Sequence, residues 1–357
     1  LPDGSHRVRN RATKAALRFL AAIAVGAAGG VLFWWIGAPL PWVLGSMAAC
    51  ALASVAGLPI EASSATRRPM AAVIGVVLGS SFGPHLFDQA QAWIVPLIAL
   101  PFFLASAALL CVTYFRKVAR LDPATAYFAG MPGGIAEMVV MGAERNADER
   151  LIGLIHGARI FLVVFILPFL IRLDHAAVAV APVRAVTGEV ADWSLLGWAI
   201  GCIAIGLAIG RLLRLPAWHL VGPLVVSAFV HMGGFADFRI PPQALAAAQI
   251  GLGATIGCRF VGLTGRMLMK TLLLAAGSTA ILLVVTFGWA FGVGALTGID
   301  PVLLTLAYSP GGLAEMSMVA LSLGLEPGFI IVHHLTRVVL VLIGAPLWFG
   351  RMPADGK

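Results

Sequence analysis

Apolar residues run along this chain in long unbroken blocks separated by short polar stretches. The blocks fall near 16–36, 40–57, 70–83, 91–115, 124–143 and 151–171, and again near 194–212, 216–233, 244–260, 270–296, 301–324 and 329–349. A helix needs about 20 apolar residues to cross ~30 Å of hydrocarbon, and most blocks approach or exceed that length. The alternating ten-residue pattern of a barrel strand is absent. Two positions depart from the pattern. The 70–83 block is short and carries Gly75, Gly79 and Gly83, and the stretch 172–193 is the most polar part of the interior. That stretch reads as a linker between two halves.

The halves repeat one another. Asp122-Pro123 returns as Asp300-Pro301, 178 residues later. PGGIAEM (Pro132 to Met138) returns as PGGLAEM (Pro310 to Met316), His156 and Arg159 as His334 and Arg337, and Pro168 as Pro346, all at the same offset. Gly79 and Phe82 match Gly257 and Phe260, and with one gap Pro39 and Gly45 match Pro216 and Gly222. A fixed offset across these residue types marks an internal duplication. It predicts a membrane repeat over 15–172, a linker over 173–193 and a second membrane repeat over 194–350.

Composition narrows the class. Of 357 residues, 60% are hydrophobic and 11% charged, and the mean hydropathy is +0.96. A soluble domain is nearer ~25% charged, so these side chains cannot coat a water-facing surface of this size. A soluble enzyme, a disordered chain and a nucleic-acid-binding domain are excluded. The net charge of +8 sits in short loops, where topology explains it better than nucleic acid does. Cys50, Cys111, Cys202 and Cys258 lie in or beside apolar blocks without C-x-x-C spacing and read as buried thiols. Arg7, Arg9, Arg11, Lys14 and Arg18 precede an apolar run long enough to span, which predicts an uncleaved first helix. Trp34, Trp35, Trp42, Trp93, Trp193 and Trp198 fall near span ends and read as an interfacial belt.

The PGG segments cannot be ordinary spans. Proline removes a donor and glycine favours unwinding, so 124–144 and 302–322 each read as two half-helices around a break. Such breaks are tolerated in a bilayer where they are buried in protein or line a cavity. If each broken segment enters and leaves on one side, each half has five full crossings and the second half is inverted. That arrangement gathers Lys and Arg on one face more strongly than six crossings per half would. It also explains why equivalent loops differ. Arg116, Lys117 and Arg120 face a partner loop holding only Asp300, and Arg145 and Arg150 face one holding Glu326. The expected fold is an all-α polytopic membrane protein of two inverted repeats. It has about ten transmembrane helices plus two re-entrant PGG segments, with both termini cytoplasmic.

Ionisable groups inside the spans mark the candidate site, because each costs at least ~2.5–3.5 kcal/mol at the bilayer centre. Glu137 and Glu315 each follow a PGG by three residues. They read as proton- or ion-coupling carboxylates, or as capping residues of the half-helix behind the break. His156 with Arg159, and His334 with Arg337, share a helix face at three-residue spacing. The arginines read as counter-charges for an anionic ligand or as ion-pair partners of the glutamates, and the histidines as proton relays or hydrogen-bond donors. Pro132, Gly133, Gly134, Pro310, Gly311 and Gly312 would present unpaired N–H groups at positive dipole ends, as broken helices of inverted-repeat transporters do. A metal site from the same Glu and His is disfavoured by their 19-residue spacing and by the neighbouring arginines. No phosphate-binding loop, dinucleotide fingerprint or nucleophile elbow with its partners is present.

The duplicated PGG-[IL]-AEM followed by H-x-x-R resembles the AbrB-type duplicated membrane protein family of bacteria, which is distinct from the soluble DNA-binding regulator of the same name. The resemblance rests on LPWVLGSM (Leu40 to Met47), GMPGGIAEM (Gly130 to Met138), SPGGLAEMS (Ser309 to Ser317) and HHLTR (His333 to Arg337). It covers nearly the whole chain and implies an inner-membrane location. Members carry labels of gene-expression regulator or ammonia monooxygenase. The polar segments are too short for a DNA-binding domain, and no copper or iron ligand set stands out. The sequence therefore predicts a secondary permease for a small, anionic solute with proton or cation coupling. The alternatives are a membrane sensor that affects gene expression indirectly and a membrane-bound monooxygenase. The expectation is of no enzyme activity, no cofactor and no metal. The expected partners are the lipid bilayer, a small solute and a second copy of the chain, with no nucleic acid.

Overall fold

The structure is a computed structural model that describes residues 4–62, 64–83, 91–174, 193–263 and 265–349. The linker expected over 173–193 lies almost wholly outside the described residues. Described residues form helices α1 (Gly4–Trp35), α2 (Pro41–Val55), α3 (Ser64–Gly79), α4 (Ile94–Lys117), α5 (Pro123–Gly130), α6 (Ile135–Ala143) and α7 (Glu149–Asp174). The second half supplies α8 (Trp193–Leu212), α9 (Trp218–Met232), α10 (Pro242–Gly257), α11 (Gly265–Thr297), α12 (Pro301–Tyr308), α13 (Leu313–Ser322) and α14 (Pro327–Phe349). No strand occurs among the described residues. The chain is a polytopic helical membrane protein. Six helices (α1, α4, α7, α8, α11 and α14) are long and apolar enough to cross a bilayer unaided. The others expected to cross, α2, α3, α9 and α10, have 15 or 16 residues and reach only about 22–24 Å at 1.5 Å per residue.

Two compact units form, and each draws on both halves. One contains Leu1–Ser80 and Pro182–Gly265, the other Ser81–Ala181 and Arg266–Lys357. In the first unit the short helices cross at glycine. A Cβ on Gly29 would strike the carbonyl of Gly45, and one on Gly206 would strike Pro223, so no larger residue lets these backbones meet. The helices α2 and α9 both begin after a residue held in the left-handed region, Leu40 (φ 43°) and Ala217 (φ 46°).

Helix directions fix the topology. In the second unit the side chains of α7 meet α5 in increasing order, His156 at Phe128 and then Arg159 at Met131. Those helices therefore run the same way. The short turn between α6 and α7 then requires α6 to return from the break to the level where α5 began. The Asp148 N–H confirms this by bonding the Thr125 hydroxyl, 2.8 Å away in the first turn of α5. The same order recurs in α14, where His334 meets Leu306 and Arg337 meets Ser309. Both PGG segments are thus hairpins that enter and leave on one side.

The helices α4 and α11 hold equivalent places in the two halves, and they pack antiparallel. Trp289 bonds Ser106 at 3.1 Å, while Ser278 meets Cys111 and Gly277 meets Tyr114. In the first unit α2 runs with α10, Val43 lying by Gly253 and Met47 by Gly257, and α3 runs with α9, Gly75 lying by Leu220 and Gly79 by Leu224. Crossings alternate in direction, so a second crossing that runs with the other half's third means the halves are oppositely oriented. These packing directions are the ones that oppositely oriented halves would produce.

Tryptophan placement corrects one expectation. Trp34 and Trp35 are exposed, as an interfacial belt requires, but Trp93 is 7% exposed and packs edge-on against Phe329 at 5.8 Å. All four cysteines are buried free thiols.

Candidate functional site

Each break is set by the residue before its proline. Clash with the proline ring drives that residue out of the helical region, and Met131 (ψ 135°) and Ser309 (ψ 144°) are extended accordingly. Asp122 and Asp300 cap the starts of α5 and α12 by accepting from Thr125 and Val302 N–H, with Pro123 and Pro301 in the first turn. Gly134 and Gly312 then serve as N-caps of α6 and α13.

The four charged site candidates, Glu137, Arg159, Glu315 and Arg337, lie at these breaks. Arg159 donates from Nη1 to the Met131 carbonyl at 3.2 Å and from Nη2 to the Gly133 carbonyl at 3.5 Å. Arg337 donates to the Ser309 carbonyl and, at 3.1 Å, to that of Gly311. A cation there complements the carbonyl end of the first half-helix. The glutamates take the opposite pole. Glu137 and Glu315 occupy the third position of α6 and α13 and fold back, so that a Cβ on Gly134 or Gly312 would collide with their Oε2. Glu315 is buried, and Glu137 is half-buried. Pro132 and Pro310 are buried at the apex of each break, where Gly133 lies against Val341 of α14.

The histidine tautomers follow from their partners. His156 Nε2 lies 2.8 Å from the Phe128 carbonyl, which can only accept, so Nε2 carries the proton. Its Nδ1 then accepts from Arg159 Nη2 at 2.8 Å. His334 repeats this with Leu306 (3.1 Å) and Arg337 (3.3 Å). A second proton on either ring would displace an arginine and set a cation beside a cation. In this geometry the histidines hold the arginines in place.

Among the described residues, neither arginine has a carboxylate within ion-pair distance. The Glu137–Arg159 and Glu315–Arg337 pairs anticipated from spacing do not form; the guanidinium groups bond break carbonyls instead, which the hairpin brings nearer. Arg159 and Arg337 are both buried, and Arg337 lies within electrostatic reach of Arg159. No group of three or more His, Cys, Asp or Glu suited to a metal occurs among the described residues.

Sequence reasoning gave no role to His333 or Ser317, although both stand in the family motifs. Both are fully buried, and among the described residues His333 Nε2 and Ser317 Oγ have no hydrogen-bond partner. The available signal was asymmetry between the halves, since the equivalent positions hold Ile155 and Val139.

A family model described as "Transition state regulatory protein AbrB" matches residues 42–352. The chain is 27% identical over 354 residues to "Uncharacterized protein YhjN" of Bacillus subtilis (strain 168), covering 92% of this chain and 91% of that protein. It is 26% identical over 322 residues to "Putative regulator AbrB" of Escherichia coli (strain K12), covering 86% and 88%.

Proposed function

The chain belongs to the AbrB family, and from that premise we propose that it is a secondary permease for a small anionic solute in the cytoplasmic membrane, its termini inside. One observation carries this reading. Two buried guanidinium groups stand in an apolar unit, bonded to carbonyls and neutral imidazoles and to no carboxylate among the described residues. Burying an unbalanced charge is expensive, and a bound anion offsets it. Arg159 Nε is in addition a buried donor without an acceptor among the described residues. The half-helix N-termini of α6 and α13 add backbone N–H groups at the same depth.

We read the matched halves as a duplicated pair, supported by the recurrence of the Arg–carbonyl and His–carbonyl bonds at a 178-residue offset and by Asp122 and Asp300 both capping a half-helix. In this scheme Arg159 and Arg337 counter the solute's charge, and Pro132–Gly134 and Pro310–Gly312 shape the entry to the half-helix ends. Glu137 and Glu315 couple protons, and His156 and His334 position the arginines. No enzymatic step is required. A second reading, a sensor that binds the same anion without moving it, is favoured by the word regulator in the name of the Escherichia coli relative.

Counterflow in proteoliposomes separates the two readings. A panel of small carboxylates including acetate, propionate and succinate is first tested for a rise in unfolding midpoint, which binding produces by mass action. Exchange of a stabilising anion across the membrane supports the permease. Binding without exchange selects the sensor, and no binding by any member rejects both. In the Glu137→Gln/Glu315→Gln variant, uptake loses its pH dependence; unchanged uptake removes the coupling role.

A further inference from the structure

The two halves differ where the site is most enclosed. Tyr308, Ser309, Ser317 and His333 of the second half stand where the first has Gly130, Met131, Val139 and Ile155. Tyr308 and Ser309 have structural bonds, to the Pro96 and Leu306 carbonyls, but the first half builds its hairpin with apolar Val139 and Ile155 where the second has Ser317 and His333. His333 is fully buried, and its Nδ1 lies 2.7 Å from the Phe329 carbonyl, so Nδ1 carries the proton and Nε2 is an acceptor with no partner. The Phe329 ring lies 4.0 Å away and the Tyr308 ring 6.0 Å away, walling the imidazole on apolar faces. Ser317 is equally anomalous. Ser46, Ser278, Ser309 and Ser322 return their hydroxyls to a carbonyl three residues back in or beside their own helices, and Ser317 does not. Buried groups left unpaired are costly, and an unmade bond of this kind calls for an explanation.

The two groups share a depth. The turn between α13 and α14 is centred near residue 324–325, so positions 317 and 333 lie almost equally far from it, within about one 1.5 Å rise. His333 also precedes Arg337 by four residues, which puts them one above the other on one face of α14 with Cβ atoms about 5–6 Å apart. Three of the five N–H donors of Arg337 are engaged, by Ser309, Gly311 and His334, leaving two. An anion charge beside a neutral hydrogen-bonding end, separated by one helical turn, is therefore the complement of this face.

We propose that Ser317, His333 and Arg337 form the specificity end of the solute site and that it takes a small hydroxycarboxylate. The carboxylate bonds the remaining donors of Arg337, the solute hydroxyl donates to His333 Nε2, and that hydroxyl's oxygen accepts from Ser317. A hydroxyl is favoured over an ammonium because two guanidinium groups repel a second positive charge. The assignment rests on the anion-binding part of the permease reading.

The test uses the purified full chain in detergent with three matched probes, lactate, propionate and alanine. Lactate binds at least tenfold more tightly than propionate, and alanine gains nothing over propionate. In His333→Ile/Ser317→Val, which installs the residues of the first half, lactate falls to within threefold of propionate while propionate is unchanged. Ser317→Ala alone weakens lactate about threefold and serves if the double variant does not fold. Equal binding of lactate and propionate by the native chain overturns the specificity assignment and leaves the anion reading intact. Alanine matching lactate overturns the choice of a hydroxyl. Absence of binding by all three overturns the proposal, while the counterflow panel judges the permease reading separately.

Discussion

Gly134 and Gly312 decide whether the two carboxylates can sit over the half-helix ends. A Cβ at either would meet the glutamate Oε2, the far end of a flexible side chain, so the carboxylate swings aside and the backbone stays. Gly312→Ala therefore folds, with a loss of roughly 0.5–1 kcal/mol from the poorer cap; a fall of a few degrees in the unfolding midpoint checks it. Arg337→Gln does more damage, because it strips donors from the Ser309 and Gly311 carbonyls and from His334 together. Buried bonds to a charged group are worth about 1.5–3 kcal/mol each, so a loss of roughly 3 kcal/mol or more is expected on denaturation. These residues were legible in the sequence because ionisable groups are rare within apolar blocks. Their partners were not. The carbonyls that Arg159 and Arg337 bind lie 26 and 28 residues earlier, a separation set by hairpin closure and invisible to helical spacing. His333 received no role because it stood next to a histidine that already fitted the repeat.

At the scale of the element, glycines sort into those that allow a crossing and those that face open space. Gly29 meets Gly45 backbone to backbone, whereas Gly288 of α11 has nothing within 4 Å of a would-be Cβ. Gly29→Leu should separate α1 from α2 and lower stability by several kcal/mol, beyond the 1–3 kcal/mol of ordinary overpacking. Gly288→Leu should be neutral or gain up to about 1 kcal/mol of helix propensity. Parallel thermal melts of the two variants distinguish these outcomes. The hairpins themselves were readable, since Pro132 and Pro310 dictate where α5 and α12 end. The shortness of α3 was readable from its block, that of α2, α9 and α10 less so, because apolar residues in their flanking turns extend the hydropathy blocks beyond the helical hydrogen bonds.

For the whole molecule, opposite orientation of the halves makes equivalent loops face opposite sides. Lys117→Cys, at the end of α4, and Thr297→Cys, at the end of α11, should react with a membrane-impermeant maleimide from opposite faces of sealed vesicles. Labelling from one face would contradict the packing of Cys111 with Ser278 and Ser106 with Trp289. Repeat offset and loop charge are what raised this orientation as an expectation. The sharing of helices between halves was not legible, because it depends on which glycine faces meet. That sharing has a consequence for biosynthesis. The face of α2 that receives Gly253 and Gly257 is made roughly 200 residues before α10, an interval of about 10–40 s at ordinary translation speeds. During that time the α2 face that takes Gly253 and Gly257 is uncovered, and the Ser54 hydroxyl lacks the Gly257 carbonyl beside it. A chain truncated after α7 never covers that face and should be cleared by membrane proteases faster than the full chain, as a pulse-chase would read.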